Sequence, residues 1–66
     1  MIVYKQETEA GVLQSITFRS EADEDVATFH AAVKTWIGTN YPAATWEDMW
    51  DKLTAYEADR ITVDMT

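Results

Sequence analysis

Alternation of apolar and polar residues indicates two strands near the start of the chain. Residues 2–7 and 12–19 are rich in β-branched and aromatic side chains, and Ile16 and Phe18 alternate with polar neighbours. This period of two is typical of half-buried strands. Gly11 lies in the short connection between them, where it can adopt a positive φ without steric cost. The pattern therefore predicts a β-hairpin.

A helical repeat follows the hairpin. Ser20 can cap the first turn through its hydroxyl, and Gly38 lies where a left-handed C-cap is expected, followed by Pro42. The apolar residues in between recur three or four positions apart, as on one face of a helix. The spacing predicts a helix over 21–37, with an apolar face formed by Val26, Phe29, Val33, Trp36 and Ile37.

A second apolar stripe predicts another helix, from Thr45 to about Ala58, with Asp48 in a capping-box-like position. Its members are Trp46, Met49, Trp50, Leu53 and Tyr56. The alternation over 61–66 then predicts a closing strand. The expected fold is α+β: a single domain over 1–66 with the order ββααβ, in which a three-stranded sheet is covered on one face by two antiparallel helices. Strand order stays open, because the last strand could pair beside either of the first two.

Composition narrows the function. The chain has twelve acidic and five basic residues, a net charge of -7 and no cysteine. That charge argues against direct binding of nucleic acid and of anionic membranes. The longest apolar runs are far short of the roughly 20 residues that span a bilayer, and residues 1–5 show no secretory signal. We therefore expect a cytoplasmic protein.

The acidic residues are unevenly placed along the chain. Residues 1–20 are neutral, whereas residues 21–48 carry six acids against Lys34 alone. Carboxylates near a helix N-terminus favour the helix dipole, by about 0.3–1 kcal/mol each. That benefit does not explain the shortage of basic residues, because self-repulsion destabilises a small domain. The distribution favours a functional negative surface.

The predicted helix pair would place two acidic runs at opposite ends of the helical layer. A helix of about 16 residues is roughly 24 Å long, so the runs would lie some 20 Å apart. Duplex DNA presents one charge per about 1.7 Å of axis, and carboxylates spread over this distance could occupy a groove built for phosphates. The predicted partner-binding residues are Glu21, Asp23, Glu24, Asp25, Glu47, Asp48 and Asp51, with Trp46 as an aromatic contact.

In its size, its acidity and its lack of catalytic motifs, the chain resembles the small inhibitors that phages and mobile elements use against host defence, including anti-CRISPR proteins. The resemblance depends on the acidic runs over 21–25 and 47–51. It implies a non-enzymatic DNA mimic, acting as a monomer in the host cytoplasm. Such a mimic would block a DNA-binding surface, for instance the PAM-reading groove of a CRISPR effector complex.

Two other interpretations stay open. The chain could be a protein-interaction module or accessory subunit that binds through Trp46, Tyr41 and neighbouring apolar surface. Alternatively, the acids could serve solubility alone. Charge-to-amide substitutions separate these possibilities from mimicry, since only a mimic needs the carboxylates.

Catalytic and metal-binding patterns are missing from the sequence. His30 is the only imidazole, and we expect it to be a partly buried structural residue. The run 23–25 lacks the spaced oxygens and central glycine of an EF-hand, and Asp48 and Asp51 lack a cleft that would tune their pKa values. We predict no enzymatic activity, no metal site and no cofactor, and we expect Trp36 and Trp50 to pack in the core.

Overall fold

The computed structural model describes residues 1–42 and 52–66. They form a four-stranded antiparallel sheet of order β1-β2-β4-β3, with a helix between β2 and β3 along the chain. The predicted three-stranded sheet under two helices is therefore wrong, and the described order is ββαββ. The elements are β1 (Ile2–Glu9), β2 (Val12–Arg19), α1 (Val26–Asn40), β3 (Leu53–Tyr56) and β4 (Arg60–Asp64).

The N-terminal hairpin is confirmed, and its turn is tighter than expected. Glu9 pairs with Val12, so only Ala10 and Gly11 lie in the loop. Both have positive φ, 51° for Ala10 and 80° for Gly11. A two-residue turn with positive φ at both positions matches the right-handed twist of the strands. Ala10 accepts a conformation that its Cβ disfavours.

Helix α1 begins five residues later than predicted, because a different residue caps it. Asp25 is the N-cap: its carboxylate accepts from the backbone N–H of Thr28 at 2.7 Å. Ser20 instead donates its backbone N–H to the carbonyl of Asp59, so the predicted Ser20 cap is wrong. The helix also continues through Gly38, and the N–H of Tyr41 donates to Ile37 at its C-terminal end.

The second predicted helix is wrong where the structure describes it, since Leu53–Tyr56 is strand β3. The connection between β3 and β4 is tight, because the backbone N–H of Glu57 donates to the carbonyl of Arg60 at 2.7 Å. Residues 45–51 of the predicted helix, including Trp46 and Trp50, lie outside the described residues. The closing strand is confirmed as β4, which lies between β2 and β3.

The core lies between α1 and one face of the sheet. Strands β2 and β4 supply adjacent pairs of side chains to it, and α1 covers them with residues spaced four apart. Trp36 is half-buried at its margin, with its ring edge-on to Phe18 at 5.3 Å between centroids, so the expected core role of Trp36 is only partly confirmed. The fully buried residues are Ile16, Phe18, Phe29, Val33, Ile37, Ile61 and Val63.

Candidate functional site: an acidic end and an apolar groove

Two acidic segments meet at one end of the sheet. The N–H of Ser20 donates to the carbonyl of Asp59 at 3.1 Å, which holds the β2–α1 connection against the β3–β4 turn. We call this region the acidic end and define it by six carboxylates. They belong to Glu21, Asp23, Glu24, Asp25, Glu57 and Asp59.

Glu24 is the internal anchor of the acidic end. Its two carboxylate oxygens lie 2.9 and 3.0 Å from the N-terminal ammonium of Met1, and one of them also accepts the backbone N–H of Glu21 at 3.1 Å. The side chain is only 9% exposed. The hydrogen bond from the ammonium holds the pKa of Glu24 below its ordinary value, and partial burial opposes that shift. Glu24 was predicted to contact a partner, but in the structure its carboxylate is mostly buried against the ammonium of Met1.

Asp25 has a structural role as well as a charge. Hydrogen bonds from the backbone N–H and the side chain of Thr28 lower the pKa of the Asp25 carboxyl, so it is ionised at neutral pH. Its position at the N-terminus of α1 also places the negative charge where the helix dipole favours it. Asp23 is exposed two residues before this cap. Both carboxylates are exposed, and only that of Asp25 is fixed by a hydrogen bond to α1.

Cations offset only part of this charge. Glu57 pairs with Arg60 at 3.0 Å, and Glu21 lies 3.4 Å from the ammonium of Met1. Among residues 1–42 and 52–66, no cationic group lies within 4.0 Å of the other three exposed carboxylates. These are Asp23, Asp25 and Asp59.

The structure brings together only part of the predicted site. The first acidic run lies at the acidic end, whereas Glu47, Asp48, Asp51 and Trp46 lie outside the described residues. The geometric argument for two runs some 20 Å apart assumed a second helix, and the strand β3 removes that assumption for residues 53–56. Glu57 and Asp59 were not among the predicted contacts. The turn between β3 and β4 holds both residues beside the β2–α1 connection.

The opposite face of the sheet from α1 has a different character. Arg19 and Arg60 are paired across β2 and β4, and the guanidinium of Arg19 lies 5.3 Å from the ring centroid of Tyr4. Next to them, the hydroxyls of Thr17 and Thr62 are hydrogen-bonded at 3.0 Å. Like charges in directly opposed positions repel, and the nearby carboxylates of the acidic end offset that repulsion. We therefore assign these arginines to local charge balance.

An apolar groove of about 450 Å³ runs along the flank of α1 nearest β1. Its walls combine small helical side chains with the half-buried Trp36 ring and with Met1, the residue that leads into β1. Tyr41 packs on the far side of Trp36, with centroids 6.1 Å apart, so its ring is partly buried. The groove is lined by Met1, Ala31, Ala32, Thr35, Trp36, Thr39 and Asn40.

His30 has the structural role expected of it. It is half-buried on α1, and its Nδ1 lies 2.9 Å from the hydroxyl of Tyr56 on β3. Within residues 1–42 and 52–66, no group of three histidine, aspartate or glutamate residues converges to hold a metal ion. No helix in that part of the chain is long and apolar enough to cross a membrane.

Comparison with known proteins found no relative of this chain. No family model matches the chain, and neither a curated protein nor a solved structure shows a significant match.

Proposed function

We propose that this chain is a non-enzymatic inhibitor that occupies a nucleic-acid-binding surface by presenting carboxylates in place of phosphates. Its partner is a basic surface of a nucleic-acid-binding protein or complex, such as a CRISPR effector, in the host cytoplasm. The acidic end carries this proposal. It joins two segments that are far apart in sequence into one negative surface, through the bond between Ser20 and Asp59.

The acidic end is also held in place. The carboxylate of Glu24 joins the β2–α1 connection to the ammonium of Met1, and that of Asp25 joins it to the first turn of α1. A surface that is already ordered loses less conformational entropy when it binds. Exposed carboxylates on such a support attract a basic partner at long range and fix its orientation on contact.

The proposal is tested by competition between the chain and duplex DNA. Tagged chain is used to capture partners from a bacterial extract, and bound material is eluted with a salt gradient. The recovered complex is then titrated with a fluorescent duplex in the presence and absence of the chain. A mimic releases the duplex as it binds, and raised salt weakens its own binding.

The competing interpretation, an interaction module with an aromatic patch, gives a different result. Binding through apolar surface persists in high salt and tolerates loss of the carboxylates. A captured complex that retains its duplex while the chain is bound, or that elutes only with denaturant, contradicts mimicry. The partial burial of Tyr41 against Trp36 gives that alternative no added support.

A further inference from the structure

Strand β1 forms one edge of the sheet. It is eight residues long, and in the described part of the chain only β2 pairs with it. The outward edge therefore presents backbone N–H and carbonyl groups to solvent, and such an edge can accept another strand. The other edge strand, β3, has four residues and offers a much shorter surface.

The centre of β1 is the regular part of this edge. Lys5, Gln6 and Glu7 pair consecutively with β2, whereas register shifts occur on either side, between Val3 and Lys5 and between Glu7 and Thr8. Lys5 and Glu7 form an ion pair at 2.8 Å on the face away from α1. Gln6 pairs with the buried Ile16 and so lies on the helix side. A partner strand would meet a regular pleat here.

We propose that β1 pairs antiparallel with β1 of a second copy, to give a weak symmetric dimer with a continuous eight-stranded sheet. Directly opposed residues of antiparallel strands lie on the same face of the sheet. A two-fold axis that passes through the sheet between the two β1 strands therefore places one residue directly opposite the same residue of the other copy. A shift by one residue would turn the side chains of one copy to the wrong face.

Charge selects the register. With Lys5 on the axis, two ammonium groups face each other. With Glu7 on the axis, two Glu7 carboxylates face each other, although Lys5 then lies opposite Glu9 of the other copy. With Gln6 on the axis, Lys5 of each copy lies opposite Glu7 of the other, so the dimer gains two opposite-charge pairs across the strands. The Gln6-centred register is therefore the one that pairs opposite charges without placing like charges opposite each other. This second-copy proposal replaces the expectation of a monomer.

Two features set the strength of the dimer. Met1, which leads into β1, forms one wall of the apolar groove, so apolar surface lies next to the first residue of the strand. The register shifts that flank Lys5–Glu7 limit regular pairing to the centre of the strand. A short interface of this kind gives a concentration-dependent dimer rather than an obligate one.

Sedimentation velocity of the full chain tests the proposal over protein concentrations from about 10 μM to about 1 mM. The wild-type chain is expected to dimerise within this range. Lys5→Glu and Glu7→Lys each convert two attractive pairs into two repulsive ones, so each should raise the dissociation constant roughly tenfold or more. The double exchange Lys5→Glu with Glu7→Lys should restore dimerisation.

Mixing the two single variants gives the most specific test. The Lys5→Glu chain and the Glu7→Lys chain present opposite charges to each other at both positions, so the mixture should form a heterodimer although each variant alone is monomeric. Glu9→Lys is the control, because Glu9 lies outside Lys5–Glu7 and opposes no charged residue in this register. Circular dichroism establishes that each variant is folded.

A wild-type chain that stays monomeric up to about 1 mM overturns the proposal. So does a dimer that survives both single substitutions, or one that is lost on Glu9→Lys alone. The edge centred on Gln6 lies outside the acidic end, so these results neither support nor weaken the proposed inhibition of DNA binding.

Discussion

The backbone N–H of Ser20 donates to the carbonyl of Asp59 at 3.1 Å and so joins two acidic segments that are almost 40 positions apart. The strand pairing of β2 with β4 brings the two residues together, since the preceding pair is Arg19 and Arg60. The acidic end is therefore a product of sheet topology. In the structure, the turn that follows β3 carries Glu57 and Asp59 to this place.

The N-cap of α1 can be tested separately from its charge. Asp25→Ala removes the bond to the N–H of Thr28, and we expect the melting temperature to fall by about 4–8 °C. Asp25→Asn keeps a capping oxygen and removes the same charge, so it should preserve most of the stability. Asp23→Ala is the matched control, because Asp23 caps nothing in the described residues. Equal losses for Asp23→Ala and Asp25→Ala in thermal denaturation would contradict the assignment.

The ion pair between Glu24 and the N-terminal ammonium predicts stability that depends on pH at both extremes. The pKa of Glu24 is lowered from 4.5 and that of the ammonium is raised from 8.0, chiefly by their mutual hydrogen bond. The carboxylate contribution is complete above pH 4.5 and is lost as the pH falls through the lowered pKa of Glu24. The ammonium contribution is complete below pH 8.0 and is lost as the pH rises through its raised pKa.

Urea denaturation of wild type and Glu24→Gln at several pH values measures this pair. The variant should be less stable at pH 6–7 (roughly the middle of the window), and the difference should narrow in acid and again in alkali. Glu9→Gln is the control, since Glu9 forms no ion pair among the described residues. A difference that stays constant across the whole range would mean that Glu24 acts through packing rather than through its charge.

Ala10 offers a stabilising substitution. Its φ of 51° costs an alanine about 1 kcal/mol, and asparagine tolerates this region better. We expect Ala10→Asn to raise the free energy of unfolding by about 0.5–1 kcal/mol. Gly11→Ala should lower it by a similar amount, because φ at Gly11 is 80° although no atom crowds a Cβ there. Chemical denaturation measures both, and a loss of stability in Ala10→Asn would contradict the turn geometry.

Phe18 is the test of the core. It is fully buried beneath α1 and meets the edge of Trp36, so Phe18→Ala should cost about 3–5 kcal/mol. That cost is comparable to the whole stability of a domain of this size, so the variant should be largely unfolded. Phe18→Leu keeps most of the volume and should remain folded. Circular dichroism and Trp fluorescence report both outcomes, and a stable Phe18→Ala chain would contradict the core assignment.

The sequence predicted the elements whose periodicity is strong. The alternation around Ile16 and Phe18 identified β2, and the spacing of Phe29, Val33 and Ile37 identified α1. Its start was placed too early because the acids after Ser20 resemble a first helical turn. In the structure they belong to a connection that Asp25 ends, and the helix begins with Val26.

Strand β3 was missed for a physical reason. Leu53 and Tyr56 are three apart, which continues a helical stripe, and Glu57-Ala58 favours a helix by intrinsic propensity. The turn to β4 contains no glycine, proline or asparagine, and Asp59 is its only residue of a type that favours turns. Hydrogen-bonded pairing with β4 overrides the helical preference of residues 53–56. The sequence of these four residues alone cannot reveal that pairing, because it depends on residues elsewhere in the chain.

The acidic end can be tested with two variants matched in charge. Asp23→Asn with Asp59→Asn removes two carboxylates from the acidic end, and Glu9→Gln with Asp64→Asn removes two carboxylates that lie nearer the other end of the sheet. Each pair changes the net charge from -7 to -5. Neither pair includes Glu24 or Asp25, whose carboxylates hold the acidic end in place.

The decisive measurement is the concentration of chain that displaces half of a fluorescent duplex from the captured partner. We predict that Asp23→Asn with Asp59→Asn raises this concentration by roughly tenfold or more, while Glu9→Gln with Asp64→Asn leaves it within about twofold of wild type. Equal effects of the two pairs would mean that net charge alone acts. Displacement that is unchanged by the loss of Asp23 and Asp59, or a duplex that stays bound beside the chain, would contradict DNA mimicry by the acidic end.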